Sequence, residues 1–119
     1  MIRLTEMPFP DGLPIDGYGP GFFRIGGEVH RGAIILSPEG VRPWGGLDDR
    51  APLMALAGRI DVLLVGTGRV LVRAPAELAA AAEAAGFGLE PMASDAAART
   101  YNVLLAEGRR IAVALLPVA

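Results

Sequence analysis

The sequence predicts a single compact three-layer domain of the α+β or α/β class, with a mixed β-sheet, helices on one side and an N-terminal β-hairpin region on the other. Three observations predict it. Residues 61–66 and 109–118 are nearly continuous apolar runs, the mark of strands buried on both faces. Ala-rich stretches after Pro75 and Ser94 lie between such runs, so helix and strand alternate through the C-terminal half and imply crossover connections. Upstream, short strand-like runs are broken by glycines and prolines, the pattern of antiparallel hairpins.

Each element follows from its residues. Residues 1–21 are rich in Pro and Gly and read as an extended segment, with residues 1–16 as an N-terminal arm. Phe9, Leu13, Ile15 and Tyr18 argue that it docks on the body. Phe22–Ile25 and Glu28–Arg31 flank Gly26-Gly27, and that pair suits a two-residue hairpin turn. Ala33–Leu36 resumes the strand pattern, Ser37–Gly40 is a turn, and Val41–Trp44 is a short strand that Pro43 places at an edge. Asp48 or Asp49 caps a short helix over Ala51–Gly58, with Pro52 in its first turn. Asp61–Gly66 is a buried strand, Thr67-Gly68-Arg69 a loop, and Val70–Val72 a further short extended piece. A helix starts at Pro75, runs through Ala85 and ends at Gly86. Phe87–Met92 is a strand that stops at Pro91. Ser94 caps the next helix, Asp95 sits in its first turn, and the helix runs to about Glu107 before Gly108. Arg109–Val118 is the last strand.

Composition narrows the function. The chain has 119 residues, of which 52% are apolar, and that length suits one domain over residues 1–119. All eleven basic residues are Arg, and thirteen acids leave a formal charge of −2, a poor balance for binding nucleic acid. Without Cys there is no disulfide, thiol chemistry or cysteine metal site, and His30 is the lone imidazole. No metal, no cofactor and no catalytic residue is expected. The longest uncharged stretch, Ile111–Ala119, is too short to span a bilayer, and the N-terminus lacks a signal-peptide pattern. A cytoplasmic protein without a transmembrane segment is the expectation.

Three constellations could carry chemistry. Gly66, Thr67, Gly68 and Arg69 follow a buried strand, where glycine can expose backbone N–H groups and Arg69 can add a charge for an anion. A tight glycine turn explains the same residues. Arg99, Thr100, Tyr101 and Asn102 interrupt an Ala- and Leu-rich helix. Asp95 lies four residues before Arg99 and can pair with it. Asn102 is the only Asn in a chain without Gln, and a mid-helix Asn points to a tertiary hydrogen bond with a loop. Glu107 and Arg109 follow at the end of that helix. Ser37 and Ser94 read as turn and cap, since neither lies in a nucleophile elbow.

The order of these motifs resembles a known family. The residues are Tyr18–Ile25, Pro38-Glu39-Gly40-Val41 with Trp44, Val65–Gly68, Ala98–Asn102 and Glu107–Arg110. They are similar to the domain-of-unknown-function family that includes mitochondrial NADH dehydrogenase (complex I) assembly factor 3 and an adipogenesis-associated protein. The resemblance covers residues 17–118 and implies a compact three-layer domain with a mixed sheet. It departs from the family at His30, Ala33 and Met92-Ala93-Ser94. It implies an interaction module with protein partners, respiratory complex subunits or assembly factors among them, and peripheral membrane association through those partners. The alternative is a binder of, or weak enzyme on, a small anionic ligand at a sheet end formed by Gly66–Arg69 and Arg99–Asn102.

Overall fold

A computed structural model describes residues 12–118. Five strands lead the chain: β1 (Ile15–Gly19), β2 (Phe22–Ile25), β3 (Glu28–Arg31), β4 (Ile34–Ser37) and β5 (Gly40–Pro43). Then come α1 (Ala51–Met54), β6 (Val62–Thr67), α2 (Ala76–Ala85), β7 (Gly88–Met92), α3 (Ser94–Ala106) and β8 (Ile111–Leu116). A three-stranded antiparallel sheet has the order β1-β2-β3, and a five-stranded mixed sheet the order β5-β4-β8-β6-β7. β6 is parallel to both β7 and β8, while β4 is antiparallel to β5 and β8.

The apolar runs at β6 and β8 sit in the centre of the larger sheet, where a strand needs apolar side chains on both faces. Along β8, Ile111, Val113 and Leu115 enter one core, and Ala112 and Ala114 the other. The first core lies under the three-stranded sheet and α3: Ile15, Phe23 and Ile25 meet Ala97, Ala98, Tyr101 and Leu105 over Leu64 and Leu36. The second lies under α1 and α2, where Leu53, Leu78, Ala82 and Trp44 close over Ile35, Leu63 and Val65. The molecule is therefore a three-layer α+β domain with a mixed sheet. Helices occupy both faces, however. α3 shares its layer with the hairpin region instead of joining α1 and α2, because consecutive crossovers from β6 to β7 and from β7 to β8 reverse direction at β8's central place.

Other local expectations shift. Ile15–Gly19 is a strand, so the arm read over residues 1–16 does not extend past Pro14; residues 1–11 lie outside the described residues. The Gly26-Gly27 turn forms as expected, with φ of 57° and 84°, and the Gly27 N–H donates to Asp16 Oδ2 at 2.7 Å. Helix α1 is only four residues long and starts from Arg50 without a side-chain cap. Asp49 instead closes the preceding turn, where its Oδ2 accepts the Gly45 N–H at 2.9 Å. Val70–Val72 is not a strand but an exposed loop. Strand β7 runs through Pro91 to Met92. It can, because the Gly88 N–H donates to Asp61 O across the β6 side, so alternation turns the Pro91 nitrogen to the open edge.

Candidate functional site

Gly66, Thr67 and Gly68 meet the start of α3 at the carboxyl end of β6. A Cβ on Gly66 would lie 2.5 Å from Leu115 Cδ2, 2.7 Å from Ser94 Oγ and 2.9 Å from Ser94 Cα. Only glycine lets the first turn of α3 rest on the strand at that distance. Ser94 is fully buried there. Its hydroxyl donates to Leu116 O at 2.6 Å and accepts the Gly68 N–H at 2.8 Å, while its own N–H donates to Gly68 O at 2.8 Å. One serine thus ties the ends of β6 and β8 to α3. It is not the helix cap the sequence predicts: the cap position is Ala93, with no side-chain bond. Thr67 is also buried; its hydroxyl donates to Val70 O at 2.6 Å and accepts the Val72 N–H at 3.0 Å, which pins the following loop.

Four residues of α3 part ways. Arg99 is exposed and pairs with Asp95 at 3.6 Å, an i,i+4 contact worth a few tenths of a kcal/mol. Thr100 is half-buried. Tyr101 is fully buried, with its hydroxyl 3.4 Å from Leu13 O, and burial pushes its phenol well above the ordinary range. Asn102 makes the expected tertiary bonds: it accepts the Ile15 N–H through Oδ1 and donates through Nδ2 to Ile15 O, both at 2.8 Å. The partner is a strand rather than a loop.

Glu107 and Arg109 are exposed beyond the end of α3. β6 and β8 pair from Val62↔Ile111 to Thr67↔Leu116, so Arg109 lies beyond the opposite end of these strands from Gly66. At about 3.3 Å per residue the separation is roughly 20 Å. The ten predicted residues therefore fall in separate places: a buried knot at Gly66–Gly68, an exposed loop at Arg69, a strand clamp at Asn102, and a distant rim at Glu107 and Arg109. Among the described residues, every buried side-chain nitrogen or oxygen has a hydrogen-bond partner. The N–H and hydroxyl groups that a ligand would need at Gly68 and Thr67 are engaged within the fold.

A groove of about 600 Å³ lies elsewhere, between α2 and β7, lined by Arg73, Ala76, Ala79, Phe87, Leu89 and Pro91. It contains none of the predicted residues. Two features are hidden in the sequence. Ser94 looked like an ordinary cap, and its neighbour Gly66 was the available signal of a close approach. The Val70–Val72 loop looked like a strand, although three residues between Arg69 and Arg73 leave little length for one. No helix among the described residues is long and apolar enough to cross a membrane.

Comparison with known proteins places these features in a wider group. A family model described as "Protein of unknown function (DUF498/DUF598)" matches residues 15–116. An uncharacterized protein of Rhodobacter capsulatus is 54% identical over 112 residues, covering 94% of this chain and 90% of its own. The mouse NADH dehydrogenase (ubiquinone) 1 alpha subcomplex assembly factor 3 is 31% identical over 123 residues, covering 98% of this chain; the chain spans 66% of the mouse protein's length. The crystal structure of an outer membrane protein from Bartonella henselae superposes with a TM-score of 0.85 at 39% identity, over 93% of this chain and 99% of that one. The chain belongs to the DUF498/DUF598 family of proteins of unknown function.

Proposed function

We propose that the chain is a protein-interaction module that assists assembly of a respiratory membrane complex of the NADH dehydrogenase type. The observation that carries this reading is the similarity to assembly factor 3 along 98% of the chain. The geometry is in keeping with it. Gly66, Thr67, Gly68, Tyr101 and Asn102 hold the scaffold together, and a rigid scaffold presents its surface to a partner. Arg69, Arg99, Glu107 and Arg109 are the exposed ones among the predicted residues, and in this reading they contact the partner. The partners are subunits of the complex or other assembly factors. The chain works in the cytoplasm and reaches the membrane with them.

Deletion of the gene tests the proposal. Cells that lack the chain should accumulate partial NADH dehydrogenase complexes and lose assembled enzyme on native gels. A tagged chain should co-purify with at least one subunit or assembly factor. Normal enzyme content in the deletion strain, with no such protein recovered, overturns the reading.

A further inference from the structure

The loop between β6 and α2 exposes three consecutive apolar side chains: Val70 and Leu71 at 63% and Val72 at 47%. Such a run is costly to leave in water, and here it is held open rather than folded back. Thr67 fixes it from both sides, at Val70 O and at the Val72 N–H. Arg69 and Arg73 bracket the run, both are exposed, and among the described residues neither takes part in an ion pair. The loop from Gly68 to Pro75 contains no acid.

The surroundings reinforce the sign of this charge. α2 and α3 both begin at the carboxyl ends of the strands that precede them, so the positive ends of two helix dipoles point the same way as the loop. Neither helix has a side-chain cap at its N-terminus. The acids at this end of the sheet are Glu77 in the first turn of α2, Asp95 in that of α3, and Asp48 and Asp49 in the turn before α1, where Asp49 is held by the Gly45 N–H. Asp95 is occupied by the Ala96 N–H and by Arg99. The chain is net negative, yet this loop carries two arginines and no acid around its apolar tip.

We propose that the Arg69–Arg73 loop docks on an anionic lipid bilayer. Val70, Leu71 and Val72 enter the boundary between headgroups and acyl chains, and the two guanidinium groups pair with lipid phosphates at that level. The patch favours a bilayer over a protein surface for a physical reason. Three aliphatic side chains offer far less than the roughly 800 Å² per partner of a stable protein interface, and they include no aromatic anchor. A bilayer needs only a tip that dips in and a charge that holds it. The contact is weak and reversible and needs no protein partner, although it shares Arg69 with the surface that the assembly reading gives to one.

Co-sedimentation of the purified full chain with vesicles tests this. Phosphatidylcholine vesicles containing phosphatidylglycerol should bind it, pure phosphatidylcholine vesicles should bind it far less, and added salt should weaken the binding. Leu71→Asp should partition about tenfold or more weaker. The double variant Arg69→Glu, Arg73→Glu should lose the preference for anionic vesicles. All three positions are exposed, so circular dichroism and thermal midpoints should match the parent chain. Failure of the parent chain to bind anionic vesicles at millimolar lipid overturns the proposal, as does equal binding by Leu71→Asp. If the parent chain ignores vesicles while Leu71→Asp abolishes co-purification of a respiratory subunit, the loop belongs to a protein partner and the lipid assignment falls. Normal vesicle binding alongside an unaffected deletion strain would refute the assembly role and leave the lipid contact standing.

Discussion

Ile15 turns its N–H and C=O away from β2, and the Asn102 carboxamide meets both at 2.8 Å. The side chain stands in for a neighbouring strand and closes the outer edge of β1. Asn costs helix stability relative to Ala, by about half a kcal/mol, so Asn102→Ala improves the helix and opens the sheet. The lost bonds outweigh the gain: the net expectation is destabilisation by about 1–3 kcal/mol, read as a lower denaturant midpoint. Asn102→Asp should not restore the midpoint at neutral pH, since its second carboxylate oxygen would face Ile15 O, acceptor against acceptor. Ser94 is the second such residue. Ser94→Ala strands the Gly68 N–H and Leu116 O in a buried place, at a cost of about 2–4 kcal/mol, and should loosen the start of α3 in hydrogen exchange. A midpoint unchanged from the parent would mean that water replaces the hydroxyl. Asn102 was legible in the sequence as a residue in need of a partner. Which partner was not, because Ile15 is 87 positions away and only the packing of α3 on β1 brings them together.

The two edges of the five-stranded sheet share one device. On β7 the Pro91 nitrogen faces outward, and on β5 the bond from the Trp44 N–H to Ala33 O turns the Pro43 nitrogen outward by the same alternation. Each edge thus lacks a donor where an incoming strand would need one, which protects a sheet with an apolar interior from pairing with other copies. Pro91→Val restores an N–H and a strand-forming side chain to that edge. The variant should fold and show concentration-dependent self-association in light scattering; a strictly monodisperse variant would mean that the proline is not what guards the edge. At this scale the strands and the two long helices were legible because their apolar periodicity does not depend on the rest of the molecule. The short pieces were not. Asp49 serves a turn and Val70–Val72 an exposed loop, since over three or four residues tertiary contacts outweigh local preference.

For the molecule as a whole, the mixed sheet and three layers were readable from the order of elements, whereas the assignment of α3 to the hairpin side was not. It depends on β8 entering between β4 and β6, a choice no local pattern encodes. The same packing sets the response of stability to pH. The chain has no Lys and no Cys, so no amine or thiol side chain shapes its stability in alkaline solution. Tyr101 projects from α3 into the core beneath β1, and burial holds its phenol protonated well past the ordinary value of 10.0. In the unfolded chain that phenol ionises near pH 10, while in the folded chain it stays neutral, so above that point the unfolded state binds fewer protons. Tyr101's full contribution is present below about pH 10 and drains away as pH rises, at up to about 1.4 kcal/mol per pH unit. Tyr101→Phe keeps the ring and loses only a long hydroxyl contact to Leu13 O, so at neutral pH its midpoint should move by less than about 1 kcal/mol. Its stability should fall more gently than the parent's above pH 10. Parallel curves for the two proteins in that range would show that the alkaline limb arises elsewhere and that the core around α3 admits the phenolate.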